Sequence, residues 1–338
     1  MKKFCRQKVH HESPPQPPVE IPRDKLPIVY SEEYGVKFCG LQKLHPFDAA
    51  KGHHIVKILK GENLLAEGNF YVPSEITKEE LLEVHKKEYL KSLKWSINAA
   101  KISEIVPLLL VPNHFVQRGY LRPMRFQTAG SILAGKLALT SGWAINLGGG
   151  FHHCCSYRGG GFCAYADITL LVTKILREEK HIARVMIVDL DAHQGNGHER
   201  DFCNNNNVFI LDMYNASIYP KDHVAKESIK CAVELRPFTE DAAYLKKLER
   251  SLKDSIGQFQ PNLIVYNAGT DILKGDSLGL LSISPQGVIN RDEYVFTTCI
   301  QSKIPIVMLL SGGYLKSSAV VIANSIMNLR AKGLLASK

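Results

Sequence analysis

Short apolar runs alternate with longer helical patterns along most of the chain, and this alternation restricts the folds open to it. The runs predict strands at 27–30, 143–147, 185–188, 208–211, 263–266 and 306–310. The intervening patterns predict helices at 79–99, 128–141, 241–259, 285–302 and 317–329, and Thr77 to Glu80 fits a capping box. Strands without polar alternation, separated by helices, indicate a mostly parallel sheet covered on both faces. We therefore expect one α/β domain over residues 26–330.

Composition indicates the cellular environment and the kinds of partner that suit this chain. The chain has 338 residues, is 45% hydrophobic, and no apolar run reaches the ~18 residues of a membrane span. The eight cysteines include no CxxC pair, which favours a reducing nuclear or cytoplasmic location. The net charge of +9 comes without a lysine–arginine block, so we expect no direct sequence-specific binding of nucleic acid. Residues 1–25 read as a flexible, Pro-rich N-terminal tail, and 331–338 as a short C-terminal tail.

Glycines and polar residues follow most of the predicted strands. They occur at 148–150, 189–191, 212, 267–271 and 311–314. In open parallel sheets, ligands bind at the carboxyl ends of the strands. Residues far apart in the sequence are therefore expected to meet in one pocket at that edge.

The segment from Asp189 to His193 has the character of a metal site. It follows the apolar run 184–188, and in an extended backbone Asp191 and His193 point to the same side. A carboxylate and an imidazole can thus converge on one ion, although short Asp-x-His sequences also arise by chance. Asp271, after another strand, offers a third ligand. Asp-His-Asp coordination leaves room for water and substrate, as in a catalytic zinc site.

Two further strand ends carry groups that suit catalysis. His152 and His153 follow three glycines, which allow the backbone to approach a ligand closely. Tyr314 follows two glycines, and near a metal its hydroxyl could stabilise an oxyanion. The alternative to a catalytic role is that the two histidines are simply exposed and that the tyrosine only packs its ring in the core. A second glycine cluster ends at Gly161 and Phe162, and it predicts a loop that shapes a pocket wall.

These motifs, in this order, resemble the zinc-dependent histone deacetylases over about residues 26–330. The matching positions are 148–153, 161–162, 189–193, 271 and 312–314. The resemblance is greatest to the class IV branch, through segments 27–31, 44–48, 142–146, 160–167 and 191–201. It implies the arginase–deacetylase fold, an α/β architecture with an eight-stranded parallel sheet sandwiched between helices.

The resemblance also implies roles for individual residues. The zinc ligands would be Asp191, His193 and Asp271, the tandem active-site histidines His152 and His153, and the transition-state tyrosine Tyr314. Asp189 would orient His152 and, together with Asp212, hold a structural potassium ion. The acyl-lysine channel would be lined by Gly161, Phe162 and Tyr219, with an apolar slot at the loop containing Leu278.

Asn196 departs from the class I pattern, where an aspartate pairs with the second histidine. A neutral partner raises the basicity of that histidine less than a carboxylate does. We favour His153 as the general base and leave open which of His152 and His153 acts as the acid.

The implied activity is zinc-dependent hydrolysis of N6-acyl-lysine in proteins, histones among them. The class IV branch implies a preference for long-chain fatty-acyl over acetyl groups, and corepressor proteins as partners. Three alternatives remain: a deacetylase of polyamines or other small amines, a binuclear manganese hydrolase of the arginase type, and a non-catalytic scaffold that binds acyl-lysine. The first needs acidic residues at the pocket mouth, and the second needs additional metal-binding aspartates.

Overall fold

Seven parallel strands form one sheet in the computed structural model, which describes residues 25–36 and 50–336. The strands are Ile28–Val29 (β1), Trp143–Asn146 (β2), Val185–Asp189 (β3), Val208–Asn215 (β4), Cys231–Leu235 (β5), Leu263–Asn267 (β6) and Ile306–Leu309 (β7). Their order in the sheet is β1-β2-β7-β6-β3-β4-β5. The parallel α/β architecture is confirmed, with seven strands in the described residues where the resemblance implies eight.

Twelve α-helices of the described residues surround this sheet. They are Lys51–Gly61 (α1), Lys78–Leu81 (α2), Lys87–Ser92 (α3), Ser96–Ser103 (α4), Asn113–Val116 (α5), Arg122–Ser141 (α6), Asp167–Glu178 (α7), Asn196–Asp201 (α8), His223–Lys226 (α9), Asp241–Phe259 (α10), Pro285–Gln301 (α11) and Ser318–Ala331 (α12). A 3₁₀ helix spans Val106–Leu110, and a π-helical turn spans Gln117–Leu121.

The sheet separates two apolar layers, as the sequence pattern requires. Along β3, Val185 and Ile187 join the layer that contains α6 and α7, whereas Met186 and Val188 join the layer of α1, α10, α11 and α12. Strands β2, β3, β4, β6 and β7 therefore bury both of their faces, which explains why they lack polar alternation.

The predicted single helix over 79–99 is wrong, because the chain forms α2, α3 and α4 there. Thr77 and Glu80 do form the expected capping box at the start of α2. Extended backbone at Lys86 and Trp95 then interrupts the helix twice. The buried ring of His85 lies at the first interruption.

The structure describes residue 25 of the predicted N-terminal tail and residues 331–336 of the predicted C-terminal tail. Residues 1–24 of the predicted N-terminal tail, which was expected over 1–25, lie outside the described residues. At the other end, Leu335 is buried and the Trp143 indole N–H donates to the Ala336 carbonyl at 3.1 Å. The described part of the predicted C-terminal tail thus packs against the domain. Within the described residues, no helix is long and apolar enough to cross a membrane.

His85 is held as a neutral imidazole by its two backbone partners. Its Nδ1 lies 3.3 Å from the Ser156 carbonyl, and its Nε2 accepts from the Ala166 N–H at 3.1 Å. A proton on Nε2 would displace that N–H donor. Burial lowers the pKa of His85 to about 4, against only a small opposing effect of the Ser156 carbonyl.

We expect His85 to make the fold sensitive to mild acid. Because its folded pKa lies below the unfolded value of 6.5, the unfolded state binds the proton first. The neutral ring stabilises the fold fully above pH 6.5, and on the order of 3 kcal/mol is lost as the pH falls towards 4. Urea unfolding of wild type and His85→Gln across this range measures the loss, with the exposed His181→Gln as control. Equal pH slopes in wild type and His85→Gln would contradict this account.

Candidate metal centre and active site

One pocket opens at the carboxyl ends of the central strands, where the sequence predicts a site. Strand register places Asp189 beside Asp212 on one side and beside Asn267 on the other. The cavity has a volume of about 650 Å³, including space open to solvent. Its described lining residues are Val36, Ser103, Ile105, Tyr120, Met124, Gly150, Phe151, His152, His153, Gly161, Phe162, Cys163, Asp191, Ser311, Gly312 and Tyr314.

Asp191, His193 and Asp271 converge as predicted. Their potential ligand atoms all lie within 4.8 Å of one another, and all three side chains are buried. The Nδ1 atom of His193 is 2.8 Å from Asp271 Oδ2 and 3.1 Å from Asp191 Oδ1. Burial, followed by the charge of Asp191, raises the pKa of Asp271 to about 7. Two buried carboxylates that repel each other beside an imidazole fit a bound cation, and these donor types suit zinc.

Backbone and hydroxyl donors hold the two carboxylates in place. Asp191 Oδ2 accepts hydrogen bonds from Ser311 Oγ and the Gly312 N–H, each at 2.9 Å. Asp271 Oδ1 accepts from the Ala192 N–H at 2.9 Å. A Cβ atom on Gly312 would lie 2.6 Å from Asp191 Oδ2 and 2.7 Å from Asp271 Oδ2. Gly312 is thus required for the loop to approach the metal trio.

The two histidines lie side by side with different partners. His152 Nδ1 is 3.0 Å from Asp189 Oδ2, and the ring centroids of His152 and His153 are 4.1 Å apart. Burial opposes protonation of His152, but the charges of Asp191 and Asp189 outweigh it and raise its pKa to about 9. His152 is therefore poised as a charged group that Asp189 orients.

His153 has the opposite character. Its Nδ1 is 2.9 Å from Asn196 Oδ1, and the Asn196 amide nitrogen donates to Asp222 Oδ2 at 3.2 Å. The carbonyl oxygen of Asn196 therefore faces His153 and accepts its Nδ1–H, which leaves Nε2 with a free lone pair. Burial, then the charges of His152 and His193, keep the pKa of His153 well below its usual range. A neutral imidazole with an unprotonated Nε2 suits a general base.

Tyr314 also lines the pocket. Its ring centroid is 6.4 Å from that of His193 and 5.9 Å from that of Phe162. Burial, then the charges of Asp271 and Asp191, raise the pKa of the Tyr314 hydroxyl well above its usual range. The phenol therefore keeps its proton at neutral pH and is available as a hydrogen-bond donor.

Lys51 and Asp276, which no sequence motif marked as functional, hold the loop that carries Tyr314. The buried Lys51, at the start of α1, donates to the carbonyls of Ser311 and Gly312 at 2.7 and 3.0 Å. Asp276 Oδ2 accepts from the Tyr314 N–H at 3.0 Å. These contacts join segments 260 and 38 residues apart, so local sequence patterns could not reveal them.

A second group of buried carboxylates lies beneath the metal trio. Both oxygens of Asp189 accept hydrogen bonds, from the Asn267 amide at 2.9 Å and from His198 Nε2 at 2.8 Å among others. Asp212 Oδ1 is buried and has no hydrogen-bond partner among the described residues. Burial, then Asp189 and Glu199, raise the pKa of Asp212 well above its usual range. Structural potassium at Asp189 and Asp212 stays a prediction.

The predicted channel residues are only partly brought together. Gly161 and Phe162 line the pocket, and a Cβ atom on Gly161 would lie 2.3 Å from the His153 ring. The ring of Tyr219 packs edge-on against His153, with centroids 4.9 Å apart. Leu278 is not among the described lining residues; its N–H donates to Asp276 Oδ1 at 3.0 Å.

The apolar part of the pocket instead comes from residues that the sequence did not single out. They are Val36, Ile105, Tyr120, Met124 and Phe151. All five are buried hydrophobic residues of the layer that contains α6, and Phe151 directly precedes the tandem histidines. Asp167 fixes the turn at Phe151, because its carboxylate accepts from the N–H groups of Gly150 and Phe151, each at 2.8 Å.

Comparison with known proteins agrees with this geometry. The Histone deacetylase domain matches residues 45–329. The chain is 51% identical to Histone deacetylase 2 of Arabidopsis thaliana, over 94% of this chain and 81% of the relative. It is 28% identical to the acetoin utilization protein AcuC of Staphylococcus aureus, over 80% of this chain and 72% of the relative. The crystal structure of the HDA15 HD domain has a TM-score of 0.72 at 20% identity, covering 92% of this chain and 89% of that one.

The fold is the parallel-sheet α/β architecture of a deacetylase domain. The chain belongs to the histone deacetylase family.

Proposed function

We propose that this protein is a class IV member that hydrolyses acylated lysine side chains of proteins with a bound zinc ion. The observation that carries the proposal is the arrangement at the pocket floor. The buried trio of Asp191, His193 and Asp271 lies there beside the two histidines and Tyr314. The intact set also favours catalysis over a scaffold that only binds acyl-lysine.

Each residue has a defined task in this reaction. Zinc, when bound, polarises the acyl carbonyl and lowers the pKa of water. His153 accepts a proton from the attacking water through Nε2, since its Nδ1–H is engaged by Asn196. Tyr314 donates a hydrogen bond to the carbonyl oxygen as that oxygen gains negative charge. The carbon–nitrogen bond then breaks, and His153 or His152 protonates the departing lysine amine.

We further propose a preference for long-chain fatty-acyl groups over acetyl groups. The apolar lining of the pocket supports this preference; it is formed by Val36, Ile105, Tyr120, Met124 and Phe151. This lining replaces the apolar slot that the sequence predicted at Leu278. Each buried methylene contributes about 0.8 kcal/mol. A fatty chain that enters this part of the pocket therefore gains binding energy that acetyl cannot.

Steady-state kinetics on one peptide with acyl chains of two to fourteen carbons test both proposals. We expect kcat/KM to rise with chain length, and Met124→Phe to lower it at least tenfold for the longest chain and little for acetyl. Met327→Phe, outside the pocket on α12, is the matched control. A wild-type preference for acetyl would disprove the fatty-acyl proposal, and no hydrolysis at any length would disprove the deacylase itself.

The polyamine alternative receives less support from the pocket. A polyamine deacetylase needs carboxylates at the mouth to bind the second amine. Among the described lining residues the one carboxylate is Asp191, which belongs to the metal trio, and the exposed Glu104 between Ser103 and Ile105 is a single carboxylate rather than a cluster. We therefore expect acetylated spermidine to be a poor substrate beside acyl-lysine peptides.

Histones as substrates, corepressor proteins as partners and a nuclear or cytoplasmic location remain proposals that rest on the family resemblance. Structural potassium at Asp189 and Asp212 is likewise a proposal that rests on this resemblance.

A further inference from the structure

Large apolar side chains are exposed along residues 95–115, near the pocket. Leu110 is 90% exposed, Val106 71% and Trp95 68%. We use the name apolar patch for these exposed residues: Trp95, Ile97, Val106, Leu109, Leu110 and Phe115. Single exposed apolar residues are common on protein surfaces, but six within 21 residues indicate a surface that contacts a partner.

The segment that carries the apolar patch is one packed unit. The Ser96 hydroxyl donates to the Val111 carbonyl at 2.7 Å. The side-chain amides of Asn113 and Gln117 both donate to the Leu93 carbonyl, at 3.3 and 2.9 Å. These bonds tie α4 to the end of the 3₁₀ helix and α5 to the end of α3, so the exposed side chains are presented by a hydrogen-bonded backbone.

This unit also forms one wall of the pocket. Ser103 and Ile105 line the cavity, between the α4 and 3₁₀ parts of the apolar patch. The Ile102 carbonyl accepts from the N–H of Phe162 at 2.9 Å, and Phe162 lines the cavity as well. A surface that binds the apolar patch therefore lies close to the pocket.

Basic residues outnumber acidic ones in the segment that carries the apolar patch. Residues 86–118 contain six lysines and arginines against two glutamates, Glu88 and Glu104. The cations are Lys86, Lys87, Lys91, Lys94, Lys101 and Arg118, and all are exposed. Exposed tryptophan, phenylalanine and leucine among lysines are the composition of protein surfaces that bind the interface of an anionic membrane.

We propose that the apolar patch docks this protein onto the surface of an anionic lipid bilayer. Trp95, Leu110 and Phe115 would enter the headgroup region, and Lys94 and Lys101 would pair with anionic lipid. The proposal rests on the proposed function in one respect: docking would bring the pocket to the surface where fatty-acylated chains reside. The apolar lining of the pocket and the apolar patch would then serve the same substrate.

Flotation of the full chain with lipid vesicles tests this directly, without any acyl-lysine substrate. We expect binding to vesicles of phosphatidylcholine and phosphatidylserine, and weaker binding to phosphatidylcholine alone or at high salt. Trp95→Ser with Leu110→Ser should weaken binding at least tenfold. Lys94→Glu with Lys101→Glu should weaken it at least twentyfold, since each lysine near an anionic surface contributes about fivefold to binding. Val72→Ser with Phe238→Ser removes two exposed apolar residues outside the apolar patch and should leave binding unchanged.

Two results would overturn the proposal. One is no binding to anionic vesicles. The other is a dimer in solution that Trp95→Ser with Leu110→Ser dissociates, because a second copy would then cover the apolar patch. Hydrolysis of a soluble acyl-lysine peptide, measured separately, should be unchanged in the apolar-patch variants. Binding without hydrolysis would contradict the proposed function alone, and hydrolysis without binding would contradict the docking proposal alone.

Discussion

Tyr314→Phe should lower kcat for an acyl-lysine peptide by on the order of 10²–10³, with zinc content unchanged. The variant removes the hydroxyl whose pKa lies well above its usual range, and with it a donor to the oxyanion. The ring remains, so packing against Phe162 is kept. Since the donor acts mainly as charge develops, KM should change little.

Zinc content and kinetics of the purified variant check this expectation. Tyr294→Phe is the matched control, because the Tyr294 hydroxyl donates to the Glu249 carbonyl far from the pocket in the fold. A Tyr314→Phe enzyme that retains the wild-type kcat would show that Tyr314 does not stabilise the oxyanion.

His153→Ala should lower kcat by roughly 10²–10⁴, because it removes the proposed general base. The orientation of Asn196, fixed by Asp222, leaves Nε2 of His153 unprotonated, and its low pKa keeps the ring neutral. Burial opposes protonation of His152, but Asp191 and Asp189 raise its pKa to about 9, which makes His153 the better proton acceptor at neutral pH. Zinc content should persist, since His153 lies outside the metal trio.

Parallel kinetics of His152→Ala and of the exposed His181→Ala complete this test. The His181 variant should match wild type. If His153→Ala keeps the wild-type kcat while His152→Ala loses it, the base is His152, and the role assigned to Asn196 is wrong.

The strands and the groups at their ends were predictable because both depend on local pattern. The apolar runs that bury both faces mark β2, β3, β4, β6 and β7, and the metal trio follows from residues placed just after β3 and β6. The missed strand β5 lies at the sheet edge and alternates buried with exposed residues, so it lacks a continuous apolar run.

Contacts between distant segments account for what the sequence did not reveal. Lys51 reaches the Tyr314 loop across 260 residues, and nothing near Lys51 indicates this. The apolar part of the pocket is likewise assembled from α6, the residues after α4 and Val36, which read as ordinary core residues. The loop containing Leu278 was expected to leave an apolar slot for the acyl chain, but its turn folds around Asp276, which supports Tyr314.

The central claim is that this protein is a zinc-dependent deacylase. It is tested most directly by removing and restoring the metal, while metal content and hydrolysis of a fatty-acylated lysine peptide are measured on the same samples. We expect one zinc ion per chain, loss of both zinc and activity after chelation, and recovery of activity in proportion to zinc bound. Undiminished hydrolysis by metal-free protein, or none by zinc-loaded protein, would contradict a zinc-dependent deacylase built on Asp191, His193 and Asp271.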